Sequence, residues 1–419
     1  MIELAAPEAQ GLAPNAFEVI GYKESDRLAQ RPGRYVVLKY RRPVIKIKQT
    51  QAIACASALA GVIEARRADV SFVAGRLIDK FADHLPLYRP HQRLSDAGIT
   101  VSRPWLTQIA QQGTARLAPI YEAPFESIRA SRVKAMDETP IKAGRGEPGK
   151  LNAAYFWPVY GEWDEVCFPF FESRRAEHVE QALGLTHAQG AVLLSDGYAA
   201  YTRYENKTGL THAQCWAHTR REFFEAQAVE PHAAARALAF IGGLYAVEAC
   251  IRDQKLTAAK KLDYRLTHAK PIVEQFFAWI NQPFEAQGLL PSNPMTQALA
   301  DARERRVGLE VYLTDPDVPI DTHHLERALR AIPMGRKAWL FCWTELGAKY
   351  VGIRHSLIVT CRLHGIDPYD YLVDVLQRVG QPPAKRVHEL TPATVEASVR
   401  CRFSAIAPAR ASPIARNAR

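Results

Sequence analysis

Apolar residues alternate with basic ones over residues 20–48, as in Arg34-Tyr35-Val36-Val37-Leu38-Lys39-Tyr40. With Pro32-Gly33 before this run and Pro43 within it, the pattern predicts a β-hairpin or two edge strands. Residues 51–68 are Ala-rich and read as mostly connective. From Val70 the spacing turns helical, with Val70, Phe72, Val73, Leu77, Ile78 and Phe81 on one side of a helix over 70–83. A second helix is expected to begin near Ser102, with Pro104 in its first turn, and to run through Trp105, Ile109 and Leu117. With the segment between them, these helices outline a helix-turn-helix, an outline that many helical domains share.

The texture changes near Ser127. SIRASRVKAMDE reads as a strand ending at Asp137, and residues 152–161 and 165–173 as two more, aromatic and β-branched. Residues 176–184 form a short helix closed by Gly184. Residues 191–196 (AVLLSD) are a continuous apolar run ending in Asp196, which suits a strand buried on both faces. The order strand, strand, strand, helix, strand predicts an α/β sheet with three antiparallel strands at one side and a parallel strand after the crossover. Residues 219–313 are helical in pattern and long enough for a small core of their own. A short helix is expected at 321–331, a longer one at 345–365 and another at 368–379. After Gly380 periodicity fades, and residues 381–419 read as a basic, largely disordered tail.

Composition narrows the class. The chain has 419 residues, 47% of them hydrophobic, enough for two or three domains. No run of eighteen apolar residues suggests a membrane span, and the first residues lack the pattern of a signal peptide. Seven cysteines without tight pairing argue against a secreted disulfide scaffold, so a reducing cytoplasm fits best and no membrane partner is expected. The net charge of +10 is uneven: residues 22–48 carry +7 and residues 381–419 carry +5, while residues 1–21 carry −3. Basic ends on a near-neutral body suit a polyanion partner, though solvated surface explains unpaired basic charge equally well.

Three acids stand where chemistry could be built. Asp137 and Asp196 each end a predicted strand, the place where open α/β sheets form sites. Glu326 lies on the 321–331 helix, and if that helix packs across the sheet the three carboxylates converge. Converged carboxylates repel unless cations lie between them, and Mg²⁺ takes hard oxygen ligands while leaving positions for phosphate oxygens. Two such ions about 4 Å apart activate a nucleophile and stabilise a leaving 3′ oxygen. The competing explanation is that strand-end aspartates merely cap the turns that follow them.

Several longer strings resemble transposases of the insertion-sequence-66 family: MDETPIKAG around Asp137, SDGYAAY around Asp196, CWAHTRREF at 215–223 and HLERALRAIPMGRKAWLF at 324–341. GIDPYDYLVDVL at 365–376 is similar to that family's closing motif, and residues 22–46 and 84–94 to its upstream regions. The resemblance spans residues 20–380 in the family's order. It implies a DDE-type, ribonuclease-H-like mixed sheet core with a helical insertion, preceded by a small β-ribbon and helical DNA-binding region. The implied layout is a basic ribbon at 1–50, a helical DNA-binding region at 51–126, core segments at 127–226 and 314–380, the insertion at 227–313, and the tail at 381–419. It also implies two Mg²⁺ or Mn²⁺ ions held by Asp137, Asp196 and Glu326, with strand cleavage at transposon ends and strand transfer into target DNA. The implied setting is the bacterial nucleoid, with a homodimer or larger assembly on DNA and accessory proteins of the element as further partners.

The resemblance adds secondary candidates. A C-x-x-H after the second aspartate gives His218 a catalytic role near the scissile strand or orienting an acid, while His212, Cys215 and His218 also make an HxxCxxH that would need a fourth ligand to hold zinc. Arg327, Arg330, Arg336 and Lys337 are candidates to grip phosphates, and the alternative for Arg330 is an i,i+4 ion pair with Glu326. One of Trp339, Phe341 and Trp343 could stack on a base, although aromatic residues at this density are more often core. The chain departs from the family at His323 and Ala338, where asparagines are usual, and Cys55 stands alone where a cysteine-rich motif is expected. His323 could place a cation beside the metal site. A truncated or decaying copy that binds DNA without catalysis is therefore the alternative function.

Overall fold

The computed structural model describes residues 2–3, 13, 16–31, 34–57, 63, 68–147, 149–285, 290–339, 342–380 and 384–395. The chain divides into two units. One comprises Met1–Ala123, Lys337–Leu340 and Ile353–Arg419, and the other Pro124–Arg336 and Phe341–Gly352.

The first unit holds the basic ribbon. Strand Phe17–Arg31 pairs antiparallel with Arg34–Ile47 in a register running from Phe17 opposite Ile47 to Arg31 opposite Arg34. Cross-strand charge supports it: Glu24 takes Lys39 at 3.0 Å and Arg41 at 3.4 Å, and the Arg41 guanidinium lies 3.9 Å from the Tyr22 ring centre. The 51–68 stretch is not wholly connective, because Ile53–Cys55 pairs against Val44–Lys46 in a four-stranded sheet that also takes in Ile2–Glu3. Helix Val70–Phe81 opens on Asp69, whose Oδ1 accepts the Ser71 N–H at 3.0 Å. It buries Phe72, Leu77 and Phe81, with Leu106, Ile109 and Leu117 of helix Arg103–Ala130 also in the core. Helix Pro368–Arg378 starts with proline behind an Asp367 cap.

Two expectations fail in this part of the chain. Helix Arg103–Ala130 continues past Pro119 and Pro124, into the stretch read as the start of a strand. A proline forfeits its own N–H bond, but Ile120, Phe125 and Ile128 are buried at helical spacing and keep the backbone coiled. The tail is also not unstructured from Gly380 onward: Ala384–Leu390 is a 3₁₀ helix. Val387, Leu390 and Val395 are buried, and the Tyr371 hydroxyl donates to the Leu390 carbonyl at 2.7 Å. Residues 396–419 lie outside the described residues.

The second unit is built on a five-stranded sheet in the order Thr211–Gln214, Val192–Ser195, Val133–Met136, Val159–Tyr160, Val166–Cys167. The first three strands are parallel and the last two antiparallel. Val133–Met136 and Val192–Ser195 are buried at every position, which accounts for their unbroken apolar character. A second, antiparallel sheet comprises Thr139–Arg145, Leu151–Phe156 and Phe170–Phe171.

The segments 152–161 and 165–173, each expected as one strand, are each divided between the two sheets. Both breaks fall at an aromatic-proline pair, Trp157-Pro158 and Phe168-Pro169. Proline cannot donate to a ladder and biases the residue before it, so each strand leaves one sheet there and joins the other. The Trp157 N–H reaching the Pro169 carbonyl at 2.9 Å ties the two breaks together.

Helices dominate the described residues between 216 and 310, from Trp216–Ala226 through Pro231–Asp253, Ala258–Tyr264, Lys270–Glu285 and Pro294–Glu304 to Arg306–Glu310. Their aromatic cluster includes Trp216, Phe223, Phe276 and Phe277, with Trp216 and Phe276 ring centres 5.5 Å apart. Pro231–Asp253 is long and apolar enough to cross a membrane by length and composition. In this fold it buries Ala234, Ala237, Ile241, Leu244 and Ile251 on one face, and its Glu248 binds the buried Arg265.

Candidate active site

Strand Val133–Met136 delivers Asp137 at its carboxyl end, where the Asp137 N–H still reaches the Pro158 carbonyl at 3.2 Å. The next strand in the sheet, Val192–Ser195, delivers Asp196 at the same edge of the parallel pair. Both aspartates do cap turns, as the simpler explanation required: Asp137 Oδ1 accepts the Glu138 N–H at 2.7 Å, and Asp196 Oδ1 the Tyr198 N–H at 3.0 Å. A carboxylate has two oxygens, so a turn bond at one leaves chemistry open at the other.

Glu326 sits in the first turn of helix His323–Leu329. That helix is pinned to the sheet through Cys215 and Trp216. The Cys215 N–H donates to the Ser195 carbonyl at 3.1 Å, and the Trp216 N–H to the Ile320 carbonyl at 3.1 Å. Cys215 Sγ lies 3.3 Å from Thr322 Oγ1, which donates to Glu326 Oε1 at 3.4 Å.

The three acids are close enough to sense one another. Burial, followed by the negative charges of Glu138, Asp196 and Glu326, pushes the Asp137 carboxyl up to about 7. His218 Nε2 lies 4.0 Å from Glu326 Oε1. Burial lowers its pKa despite the nearby charges of Asp196 and Glu326, and among the described residues its buried Nδ1 has no hydrogen-bond partner. Among the described residues, no three His, Cys, Asp or Glu side chains stand close enough together to hold a metal ion as they are placed here. The donor set is nevertheless the hard-oxygen kind that suits Mg²⁺ or Mn²⁺, and a cation would relieve the repulsion that raises Asp137.

HxxCxxH does not form one cluster. His212 Nε2 bonds Ser195 Oγ at 2.7 Å, Cys215 faces Thr322, and His218 faces Glu326. His323 turns away from Glu326: its Nδ1 meets Asp321 Oδ2 at 2.7 Å and its ring stacks on Tyr245. The candidate phosphate cations are dispersed. Arg327 and Arg330 are exposed on the Glu326 helix, and among the described residues Arg330 makes no ion pair with Glu326. Arg336 donates to the Pro140 carbonyl, whereas Lys337 is exposed and belongs to the other unit. Trp339 is also in that unit, Phe341 lies outside the described residues, and Trp343 is exposed near Arg145. A cavity of about 540 Å³ lined by Tyr160, Trp163, Lys261 and His324 does not include the three carboxylates.

Sequence reasoning missed two groups that shape the site. Glu138, next to Asp137, is buried and held by the Arg174 guanidinium and by the Tyr201 hydroxyl at 2.9 Å. Arg174 also covers the Tyr198 ring, centre to guanidinium 4.1 Å, so residues following both aspartates share one network. Arg305, 109 residues along the chain from Asp196 by number, packs on Gly197. The Glu that immediately follows Asp137 was the only local signal for the first network, and nothing local marks Arg305.

Two acids thus end adjacent parallel strands of an α/β scaffold, and Glu326 lies on a later helix. Residues 66–350 match the transposase IS66 family, and residues 356–393 match the IS66 C-terminal element. The chain belongs to the IS66 transposase family. The second match extends past residue 380, beyond the 20–380 span expected from the sequence. Among curated relatives, the chain is 29% identical to the uncharacterized protein y4qI of Sinorhizobium fredii, covering 89% of this chain and 71% of that one. It is 27% identical to y4hP of the same organism over 89% and 70% of the two chains, and 27% identical to y4jD over 89% and 75%.

Proposed function

We propose that this chain is a DNA transposase that cuts strands at transposon ends and joins the freed 3′ ends to target DNA. The observation that carries the reading is the family match over residues 66–350, supported by Asp137 and Asp196 ending adjacent parallel strands and by the charges of Asp196 and Glu326 acting on Asp137. The strand order supports a ribonuclease-H-like core, since two parallel strands flank the Asp137 strand on one side and two antiparallel strands lie on the other.

In this reading Asp137, Asp196 and Glu326 hold two divalent ions, Mg²⁺ or Mn²⁺. When bound, those ions would activate the attacking oxygen and stabilise the leaving 3′ oxygen. The chain's own residues do the rest. His218 presents a half-buried imidazole beside Glu326, able to orient that carboxylate or a substrate oxygen. Glu138 fixes the turn after Asp137 through Tyr201 and Arg174. The exposed Arg327 and Arg330 and the basic ribbon at residues 17–47 supply cations for phosphates. Cutting and joining two ends calls for at least two copies on DNA.

The test is cleavage of transposon-end DNA by the full chain in Mg²⁺ or Mn²⁺. D137N, D196N and E326Q should each abolish nicking while end binding persists. Specific binding with no nicking by the parent chain would instead identify a copy that binds without catalysis.

A further inference from the structure

The geometry points to Arg305 as a positioning residue for Asp196, supplied by the helical segment and seated on Gly197. The inference deepens the reading of Asp196 as a metal ligand and rests on it.

A methyl group built on Gly197 would lie 2.3 Å from Arg305 Cζ, 2.4 Å from Nε and 2.5 Å from Nη2. The guanidinium therefore lies flat against the backbone of the residue that follows Asp196, in space that only glycine leaves. The Asp196 carboxylate is fixed one residue further on, by the Tyr198 N–H at 3.0 Å. Arg305 thus presses on the middle of the turn that aims the acid.

The guanidinium is itself anchored. Nη1 reaches Glu222 Oε1 at 3.1 Å and Nη2 reaches Asp301 Oδ2 at 3.6 Å, and the Arg305 side chain is only 19% exposed. These partners come from helices Trp216–Ala226 and Pro294–Glu304. A second close approach fixes the same segment, since a methyl on Gly308 would lie 3.1 Å from the His212 carbonyl oxygen, in the strand beside that of Asp196. Two glycines thus bring residues 305–308 against the turn after Asp196 and against the neighbouring strand Thr211–Gln214.

An unpaired cation beside a metal ligand would repel the metal. Arg305 carries two carboxylate partners, so its cluster is not cationic and can remain in place while Asp196 binds a divalent ion. Its contribution is placement, which depends on a planar group that bridges two carboxylates and stacks on a backbone. Lysine keeps the charge and loses that geometry. Groups that orient metal ligands typically matter at the level of ten- to a hundredfold in metal affinity or activity.

Gly197 provides a clean probe. Its backbone is outside the left-handed region, so alanine introduces no backbone strain, and its three nearest atoms all belong to Arg305. G197A should displace a flexible side-chain end while leaving every charge in the protein. Mn²⁺ affinity of the DNA-free full chain, measured by calorimetry, and strand cleavage at saturating DNA are the two readouts. G197A and R305K should each weaken Mn²⁺ binding by about tenfold with a matching rise in the Mn²⁺ needed for cleavage. The double variant should be no worse than the singles, because both remove one contact. If R305K fails to fold, G197A alone carries the measurement.

Parent-like Mn²⁺ affinity and cleavage in G197A, with D196N abolishing both, would overturn the role of Arg305 and leave the site reading standing. Effects that multiply in the double variant would also overturn it. Loss of neither property in D196N would overturn the site reading itself.

Discussion

Cys215 Sγ accepts the Thr322 N–H at 3.3 Å and lies the same distance from Thr322 Oγ1. The bonding is consistent only if the thiol keeps its proton and donates it to Oγ1, freeing the Thr322 hydroxyl to donate to Glu326. Burial does keep it protonated, pushing the thiol up to about 11. With the Cys215 N–H on the Ser195 carbonyl, a continuous path runs from the residue before Asp196 to Glu326. C215A should cost about 1–2 kcal/mol of stability by leaving the Thr322 N–H without its partner. T322V should lower cleavage more than it lowers the melting midpoint, whereas T322S should retain both. In the folded protein an alkylating agent should modify the exposed Cys250 and spare Cys215, as mass spectrometry of the labelled peptides would read.

The repulsion around Asp137 makes a thermal prediction. The buried carboxyl is raised to about 7 by burial and by three neighbouring acids. Millimolar Mg²⁺ or Mn²⁺ should raise the melting midpoint of the DNA-free chain, with about 2.7 kcal/mol of stabilisation expected at a hundredfold excess over the dissociation constant. D137N removes a repelling charge, so its midpoint without metal should exceed that of the parent at pH 8, and its response to metal should shrink. An identical metal response in the two proteins would place the cation elsewhere.

Strand-end placement made Asp137 and Asp196 legible in sequence, because a short apolar run closed by an acid and a turn is a local pattern. Glu326 was legible only as a helix residue, and the seat of its helix depends on contacts such as Cys215 with Thr322, 107 positions apart. Division of 152–161 and 165–173 between two sheets escaped notice because aromatic and β-branched content continues unbroken across Pro158 and Pro169. Periodicity reports which face is buried, and both sheets bury these residues. Nothing local marks Arg305 or Arg174, since charge alone does not reveal a glycine seat or a buried glutamate across the fold.

Arg265 tests how firmly the helical segment is held. It is fully buried in a π-helical turn, with Nε 2.7 Å and Nη2 3.0 Å from the two Glu248 oxygens. Its Nη1 serves the carbonyls of Tyr312 at 2.8 Å and Val318 at 3.0 Å. R265A would leave Glu248 and these carbonyls without the guanidinium, so a loss of about 3–5 kcal/mol is expected from urea unfolding. R265M, which refills the volume, should lose less than R265A. Equal losses would mean that packing, rather than the stranded carboxylate, sets the cost.

His355 predicts the acid limit of the other unit. It is fully buried, edge-on to Phe81 at 5.8 Å between ring centres and 6.2 Å from His84. Burial first, then the positive charges of His84, Arg354 and Arg362, lowers its pKa to about 3. The unfolded chain therefore takes up a proton near the ordinary value of 6.5, where the folded chain does not. Stability from the neutral ring is complete above that value and is lost as pH falls from there towards about 3, at roughly 1.4 kcal/mol per pH unit. H355L removes the titrating group, so between pH 7.5 and pH 5.0 the parent should lose about 2 kcal/mol more than the variant in urea unfolding. Parallel pH profiles for the two would show that the imidazole gains its proton without unfolding, and the burial argument would fail.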